Sequence, residues 1–450
     1  MRISTSQIYD NGTLGMQRNQ SALYKLQNQI STGRRVLTPE DDPVAAAQAL
    51  IVTQSKDVNA QHADNQGSAS SQLGLVDSQL NSMVDLLNNV RDRVVQAGNS
   101  GAMTNSDRQT IATELEARLS ELVGLANSQN GAGDYLFSGY QGATLPFAIN
   151  GTTGDYVYAG DDGERLLQVS SSRQMAVNVA GSDVFMDIKG GNGTFTTATG
   201  GNNVVPVGNN KGSGTIDTGS VVDVQKWQAA VNLLLSNPLS VPPVVPMLQI
   251  RFSTNAVTGA SEYQLFDATP ATPVAVTSPA TFTPGMSISL DTTTAASPSA
   301  LPLTGTSFGA KVVIQGQPAA GDSFSIKPSS SQSIFLTMQS LIKTLRTPIN
   351  STNFTSTEFT NALGAQLNNI DQTFENVSRV QAIVGTRMAE LDSLGDMSSD
   401  LDIQYQSSLS DLQDLDVVKA YSDLTLQKVN LEAAQKSFVT ISGLSLFNYL

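Results

Sequence analysis

The sequence predicts an α+β multidomain fold: long antiparallel helices from the N- and C-terminal regions form a coiled coil or bundle, with a β-rich domain inserted in the middle. Near both ends of the 450-residue chain, apolar residues recur at alternating spacings of three and four, as in paired helices. The middle is rich in Gly, Thr, Ser and Pro, which is typical of strands and turns. The length fits about three domains at roughly 150 residues each.

A first amphipathic helix is predicted over residues 13–32. Its apolar residues stand in a background of Gln, Asn and Ser; they are Leu14, Leu23, Leu26 and Ile30. Gly33 follows, and glycine commonly ends a helix.

A long second helix is predicted to begin at about Pro43. The preceding segment, residues 38–43, supplies a capping oxygen, prolines suited to a first turn and two aspartates near the positive end of the helix dipole. Apolar residues then recur at heptad spacing; they are Val44, Ala47, Ile51 and Val58. The pattern becomes polar through His62 and Asn65 and resumes after a one-residue offset, which is typical of a stutter.

The resumed pattern predicts the seam of a helix bundle within the chain. On this helix the seam residues are Leu73, Val76, Leu80, Met83, Leu87, Val90 and Val94. A further helix is predicted from Asp107 to Asn127. Helical spacing returns at Ile334, and a long helix from about Thr357 continues the seam. Its seam residues are Ile370, Phe374, Val377, Val384, Met388 and Leu391.

Short strands separated by turns are predicted between these helical regions. The predicted strands are 135–139, 155–159, 166–179, 247–253, 261–266, 287–290, 311–315 and 323–326. A short helix is predicted near Trp227.

The last helical segment carries a heptad-like pattern through Leu424, Gln427, Leu431, Ala434, Phe438 and Ile441, in which Gln427 is the polar member, and the sequence ends on further apolar residues. We therefore predict three parts. The first is a pair of terminal assembly helices (1–42 and 412–450), which we expect to order only beside neighbouring copies. The others are a helical bundle with a β-hairpin segment (43–185 and 334–411) and an inserted variable β-rich outer domain (186–333).

The composition of the chain argues against several classes of function. The formal charge of −14 argues against nucleic acid and anionic membranes as partners, because both need clustered Lys and Arg. The sequence contains no Cys and one His, which excludes thiolate chemistry and leaves few metal ligands. We expect no catalytic site, no metal and no cofactor. We also expect no cleaved signal peptide, since an apolar run of the required length is missing near Met1.

His62 and an acidic cluster near residue 411 are candidates for sites of chemistry. His62 lacks the converging partners that zinc binding or a catalytic triad requires, so an ordinary helix residue is the better interpretation. Asp411, Asp414 and Asp416 form an acidic cluster, but helical spacing does not bring all three to one face. A solvated or intersubunit charged surface is favoured.

Several motifs together resemble those of the hook-associated protein 3 family of flagellar hook-filament junction proteins, within the flagellin-like superfamily. The motifs are Met-Arg-Ile-Ser-Thr at 1–5, Ile-Ser-Thr-Gly at 30–33, Asp-Asp-Pro-Val at 41–44, the segment 133–139 leading to Pro146-Phe147, and the ending 442–450. The resemblance covers roughly residues 1–185 and 334–450.

The resemblance implies a non-enzymatic structural adaptor that joins the hook side to the flagellin filament, in the extracellular flagellum. Its implied partners are copies of itself in a ring, the neighbouring hook-associated protein, flagellin, and an export chaperone at the C-terminal helix. Export through the flagellar type III channel without signal cleavage is also implied. The predicted assembly residues are Ile3, Leu14, Leu23, Leu26, Ile30, Leu424, Leu431, Phe438, Ile441, Leu444, Leu446 and Phe447.

Two alternatives remain open at the level of sequence. Flagellin itself has the same architecture, although the two ends of this sequence favour the junction family. A surface-adhesive or ligand-binding role of residues 186–333 is the other alternative.

Overall fold

The computed structural model describes residues 5–99, 103–200, 210–235, 245–270, 273–292, 306–349 and 354–447, with side chains at the two ends described at residue 7 and over 9–440. The α-helices are α1 (Thr5–Thr32), α2 (Pro43–Ala97), α3 (Asn105–Ala126), α4 (Val224–Leu235), α5 (Ile334–Arg346), α6 (Ser356–Gln413) and α7 (Val417–Phe447). Within these residues, no helix is both long and apolar enough to cross a membrane. The predicted α+β fold class is confirmed.

The chain divides into two compact units. The first contains residues 1–68, 168–174 and 390–450, and the second contains 69–167 and 175–389. α2 and α6 each contribute residues to both units. The predicted domain boundaries at residues 42, 185, 333 and 411 stay predictions.

The boundaries of α1 and α2 follow from local chemistry. α2 begins at Pro43, as predicted, because Asp42 caps it: the Ala45 N–H donates to Asp42 Oδ1 at 3.0 Å. α1 begins at Thr5, earlier than the predicted residue 13. It ends before Gly33, whose φ of 71° is a conformation that side-chain-bearing residues avoid.

The apolar seam of α2 in the second unit is fully buried. Leu73, Val76, Leu80, Met83, Leu87, Val90 and Val94 are each at most 1% exposed. Hydrogen bonds flank this seam: Arg91 Nε donates to Asp371 Oδ1 of α6 at 2.9 Å, and Gln381 Nε2 donates to Asn81 Oδ1 at 2.7 Å. These bonds join α2 to α6 within the second unit.

On α6, the predicted seam needs a correction. Ile370, Val377, Val384 and Leu391 are buried, but Phe374 is 36% exposed and Met388 is partly exposed. Thr373 and Val380 occupy the buried positions instead. The Thr373 hydroxyl donates to the Asn369 carbonyl at 2.8 Å, so its one polar group is satisfied within the helix and the residue tolerates complete burial.

α3 and α5 pack against each other in the second unit. α3 begins with a capping box, in which Thr104 and Asp107 each bond the other's backbone N–H. An ion pair joins Arg346 of α5 to Glu116 of α3 at 2.7 Å. Nearby, four buried aromatic rings, Phe137, Phe147, Phe185 and Phe335, pack with centroid distances from 4.9 to 5.8 Å.

Strands occupy much of the middle of the chain. Before residue 180 they are β1 (Phe147–Ile149), β2 (Tyr156–Tyr158), β3 (Leu166–Ser170) and β4 (Arg173–Ala176). The others are β5 (Ile188–Lys189), β6 (Phe195–Thr199), β7 (Thr215–Ile216), β8 (Ser220–Val221), β9 (Leu248–Thr254), β10 (Ser261–Asp267), β11 (Val274–Ala275), β12 (Ala280–Thr281), β13 (Ser287–Asp291), β14 (Ser307–Gln315), β15 (Ser323–Pro328) and β16 (Ser331–Gln332).

Two antiparallel sheets and α4 share one core in this middle region. The larger sheet has the order β11-β10-β9-β15-β6, with β12 also paired to β10; the smaller has the order β13-β14-β7, with β8 on β14. Burial alternates along β14, where Phe308, Ala310, Val312 and Ile314 face inward, as the two-residue period of a strand requires. Trp227 of α4 packs against Phe195 and Phe308.

The predicted strand at residues 135–139 is wrong. This segment consists of turns, with one isolated bridge between Tyr135 and Gln129. Gly139 has a φ of 68°, and a Cβ on it would lie 2.2 Å from the carbonyl oxygen of Asp161. The close backbone approach therefore needs glycine in a left-handed turn, and no extended strand can run through it.

Candidate assembly surface

α1 and α7 form an antiparallel helix pair in the first unit. Near the start of α1, the ring of Tyr9 meets Phe438 of α7 edge-on, at a centroid distance of 4.8 Å. Further along α1, Gln427 Nε2 donates to Asn19 Oδ1 at 3.4 Å. The order of these contacts along the two helices establishes the antiparallel direction.

The inner face of each helix follows the spacing of a coiled coil. On α1, the half-buried seam is Gly12, Met16, Asn19, Leu23, Leu26 and Ile30. On α7, Ala420 is buried and the half-buried residues continue as Leu424, Gln427, Leu431, Ala434 and Phe438. Steps of three and four residues alternate in both sets, so two helices can pack along these faces over several turns.

Most of the predicted assembly residues that are described lie on this seam. Leu14 is the exception: it is 47% exposed and lies about half a turn from Gly12, because a helix advances about 100° per residue. The inward positions beside it are taken by Gly12 and Met16. The placement of Leu14 among the residues that pair with α7 is therefore corrected.

Several predicted assembly residues cannot be placed. Ile3 and the side chains of Ile441, Leu444, Leu446 and Phe447 lie outside the described residues. Their assembly role stays a prediction.

Gly12 makes the closest packing of the pair possible. A Cβ on Gly12 would lie 2.7 Å from Phe438 Cδ2, well inside van der Waals contact. The large ring on α7 therefore fits a small residue on α1. A glycine in the middle of a helix costs helix propensity, and at this position that cost is offset by ring packing.

Apolar residues outside the seam leave much of the pair uncovered. The exposed large apolar residues of α1 and α7 include Tyr9, Leu14, Tyr24, Val417, Val418, Tyr421, Leu426 and Val429. Contiguous exposed apolar surface marks interaction sites in soluble proteins. Two helices alone bury one seam each, so these residues stay exposed in the single chain.

A network of carboxylates fixes the loop between α1 and α2. Asp41 accepts hydrogen bonds from the backbone N–H groups of Leu37 and Thr38, both at 3.0 Å, and pairs with Lys25 of α1 at 2.6 Å. These donors, with the Lys25 bond as the strongest influence, lower the pKa of Asp41 to about 2. The pKa of Asp42 is also lowered, first by the Ala45 N–H and then by Arg35.

The same loop is tied to the connection between α6 and α7. Arg34 forms a backbone bridge with Asp414, and the Leu415 N–H donates to the Gly33 carbonyl at 3.0 Å. The Arg35 guanidinium reaches both the Leu412 carbonyl, at 2.8 Å, and Asp42, at 3.0 Å. The connection between α1 and α2 and the connection between α6 and α7 are therefore fixed side by side.

Two residues of the acidic cluster, Asp414 and Asp416, have structural partners. The Ser410 hydroxyl donates to Asp414 at 2.6 Å, and Asp416 caps α7 by accepting from the Lys419 N–H at 3.0 Å. The sequence shows these residues as acids but does not predict that Asp416 caps α7. The Lys25–Asp41 pair was also missed, because a contact across sixteen residues and a loop has no periodic signal.

The chain is similar in sequence to known flagellar proteins. Residues 3–142 match the bacterial flagellin N-terminal helical region. Flagellar hook-associated protein 3 of Salmonella typhimurium is 36% identical over 188 residues, which cover 42% of this chain and 58% of that protein. The match therefore spans somewhat more than half the length of that relative.

Solved structures extend the similarity to most of the chain. The flagellar hook-associated protein-3 structure from Legionella pneumophila is 27% identical, with a TM-score of 0.66, and the match covers 80% of this chain and 98% of that one. A structure of the flagellar junction protein FlgL from the same organism is 28% identical, with a TM-score of 0.63. The match covers 82% of this chain and 100% of that one. The chain thus carries a bacterial flagellin N-terminal helical region and is similar in sequence and fold to flagellar hook-associated protein 3, as its motifs predicted.

Proposed function

We propose that this protein is a non-enzymatic structural adaptor that joins the flagellar hook side to the flagellin filament. It assembles into a ring through its terminal helices, which contact copies of itself, the neighbouring hook-associated protein and the first flagellins. The observation that carries the proposal is the α1–α7 pair, which packs along one seam and leaves large apolar residues exposed on its other faces. The similarity to hook-associated and junction proteins supports the choice of partners.

The proposed location is the extracellular flagellum, at the hook-filament junction. We infer that the chain is exported through the flagellar channel without cleavage of a signal peptide, as the family resemblance implies. A chaperone would hold α7 before export, because its apolar seam has no cover until α1 packs against it. Binding of a chaperone to the chain, and its loss when residues 418–440 are deleted, would test this part of the proposal.

The runner-up function is that of flagellin, which shares the N-terminal helical region. The two functions differ in copy number, because a junction ring holds few subunits and a filament holds thousands. Quantitative mass spectrometry of isolated flagella distinguishes them. A small, constant number per flagellum supports the adaptor, and a number that grows with filament length supports flagellin.

The decisive variants place a carboxylate in the seam of α7. Leu431→Asp and Phe438→Asp are expected to abolish filament attachment in cells that lack their own copy, because a buried carboxylate opposes helix pairing. Gln435→Asp is the matched control, since Gln435 is exposed on the same helix, and filaments should attach normally. Normal attachment in both seam variants would refute the role assigned to the helix pair.

A further inference from the structure

The first turns of α2 carry two different apolar faces. The face that is buried within the first unit is formed by small residues, Ala45 and Ala49, which are 5% and 1% exposed. The heptad residues that the sequence highlighted face outward: Val44, Ile51 and Val58 are 66%, 64% and 46% exposed. The chain's own helices therefore use the alanine face and leave the larger residues uncovered.

The uncovered face, which we name the α2 stripe (Val44, Ile51 and Val58), has the geometry of a helix-docking site. A seven-residue step returns an α-helix to within about 20° of the same direction, so the three side chains align along one side. Ala47 is also exposed on this side. Large β-branched residues repeated every seven positions are the pattern by which one helix receives another.

The stripe ends at a pocket of about 340 Å³ in the first unit. Val58, His62, Met397, Leu401 and Tyr405 contribute to its lining. Both ring nitrogens of His62 are buried, and neither has a hydrogen-bond partner within the described part of the chain. Beside these side chains the lining includes polar residues, among them Ser55, Asn59 and Ser398. A pocket with both apolar and polar walls suits an aromatic side chain that carries a hydroxyl.

The negative charge of the surface near the pocket favours an occupant that carries a positive charge. Residues 390–416 contain eight Asp and Glu residues and no Lys or Arg, and Asp396 and Asp400 are exposed on either side of Met397 along α6. The outer face of α1, opposite its α7 seam, is complementary to this surface. It exposes Leu14, Arg18 and Tyr24, and Arg18 has no ion-pair partner among the described residues. Asp10 is exposed on the same face one turn before Leu14, so the complementary charge is that of Arg18 alone.

We propose that the α2 stripe and its pocket receive α1 of a second copy of this chain. Leu14 of that copy packs on the stripe, Arg18 faces the carboxylates of Asp396 and Asp400, and Tyr24 enters the pocket. This inference rests on the proposed self-assembly and specifies which two faces meet. The helix pair then contacts its neighbour through the outside of α1 while its inner seam stays with α7.

The absence of cysteine in the chain allows a test in which only contacts between copies are detected. One preparation of the full chain carries Ser21→Cys on the outer face of α1, and a second carries Gln54→Cys between Ile51 and Val58. The two are mixed at high protein concentration and oxidised, and the heterodimer is measured by mass spectrometry as the disulfide-linked peptide pair that joins position 21 to position 54. We expect heterodimers to form efficiently.

The matched control replaces Gln54→Cys with Ala60→Cys. Ala60 is exposed but lies about 200° around the helix from Val58, at about 100° per residue. Heterodimers with this control should be about tenfold fewer. Equal yields from Gln54→Cys and Ala60→Cys would overturn the proposal, as would the absence of heterodimers from both.

Charge reversal provides a second, independent test by sedimentation of the cysteine-free chain. Arg18→Glu alone, or Asp396→Lys with Asp400→Lys, should weaken self-association by about tenfold, because like charges then meet across the interface. Combining the three changes should restore it. All these residues are exposed, and circular dichroism verifies that each variant is folded. Failure of the combined variant to recover association contradicts the assigned pairing.

Failure of this inference can be separated from failure of the proposed function. Fluorescent labelling of the chain in intact flagella reports whether it occupies the junction. Labelling at the junction without the predicted heterodimers would reject the docking faces and leave the adaptor function standing. Heterodimers without labelling at the junction would support the docking faces and reject the adaptor function.

Discussion

Gly12 of α1 lies against the ring of Phe438 of α7, so close that a Cβ at this position would be 2.7 Å from Phe438 Cδ2. Tyr9 meets the same ring from the side. Phe438 thus packs between Gly12, which has no side chain, and the large ring of Tyr9. This relationship sets how closely the two terminal helices approach.

Gly12→Val should therefore weaken the helix pair. The added methyl groups would push Phe438 away, and overpacking of this kind costs about 1–3 kcal/mol. Gly15→Val is the matched control, because nothing lies within 4 Å of a Cβ at Gly15. Hydrogen exchange of α1 amides in isolated flagella measures the difference, and equal exchange in the two variants would show that the ring contact is unimportant.

The Asp41 network predicts a specific acid titration. A carboxylate with a lowered pKa contributes stability above its unfolded value of 3.8, and this stability is lost as the pH falls through its folded pKa of about 2. The loop contacts should therefore persist at pH 4 and disappear between pH 4 and pH 2. Carbon-13 NMR of the Asp41 carboxyl group measures its titration midpoint.

Removal of the cation tests the assigned cause of that shift. Lys25→Met should raise the Asp41 midpoint toward 3.8, since the bond to Lys25 is the largest cause of the lowering. Lys56→Met serves as the control, because Lys56 pairs with Asp402 instead. An Asp41 midpoint that does not move in Lys25→Met would mean that the backbone N–H groups alone stabilise the carboxylate.

The seam of α2 in the second unit should dominate the stability of that unit. Leu80→Ala removes a fully buried side chain and should reduce the free energy of unfolding by about 2–5 kcal/mol. Leu75→Ala, five residues earlier on the same helix, removes an exposed side chain and should cost about 0.5 kcal/mol or less. Urea denaturation compares them, and similar losses would contradict the burial assigned to the seam.

The polar pair inside the α1–α7 seam should specify how the two helices align. Replacing both Asn19 and Gln427 by Leu removes a weak hydrogen bond of 3.4 Å and adds apolar contact, so helicity on heating should increase. Alignment should become less specific, because one polar layer commonly fixes register. Alignment is measured by the yield of the disulfide between Tyr9→Cys and Phe438→Cys. This yield should fall when Asn19 and Gln427 are both replaced by Leu. In the control, Gln20→Leu with Gln435→Leu, it should not change.

Sequence patterns predicted the helices that have uninterrupted spacing and clear ends. The Leu73 run is buried, and the α7 residues Leu424, Leu431 and Phe438 are half-buried. The start of α2 followed from Asp42 and Pro43, because capping chemistry is local and leaves a readable signal.

The errors arose where a small or polar residue takes the buried position. In α2, the heptad pattern favoured the larger Val44 and Ile51 as the packed residues. The structure instead buries Ala45 and Ala49 within the first unit. In α6, Phe374 is more apolar than Thr373, but the threonine hydroxyl bonds its own helix and so can be buried. Side-chain size and polarity alone do not identify the face that a neighbouring helix will choose.

The central claim is that the α1–α7 pair is incomplete in a single chain and becomes covered on assembly. Hydrogen exchange of α1 and α7, measured on the free chain and on isolated flagella, tests it most directly. We predict rapid exchange in both helices of the free chain and strong protection in flagella, with the α2 seam protected in both. Equal and strong protection of α1 and α7 in the free chain would contradict it.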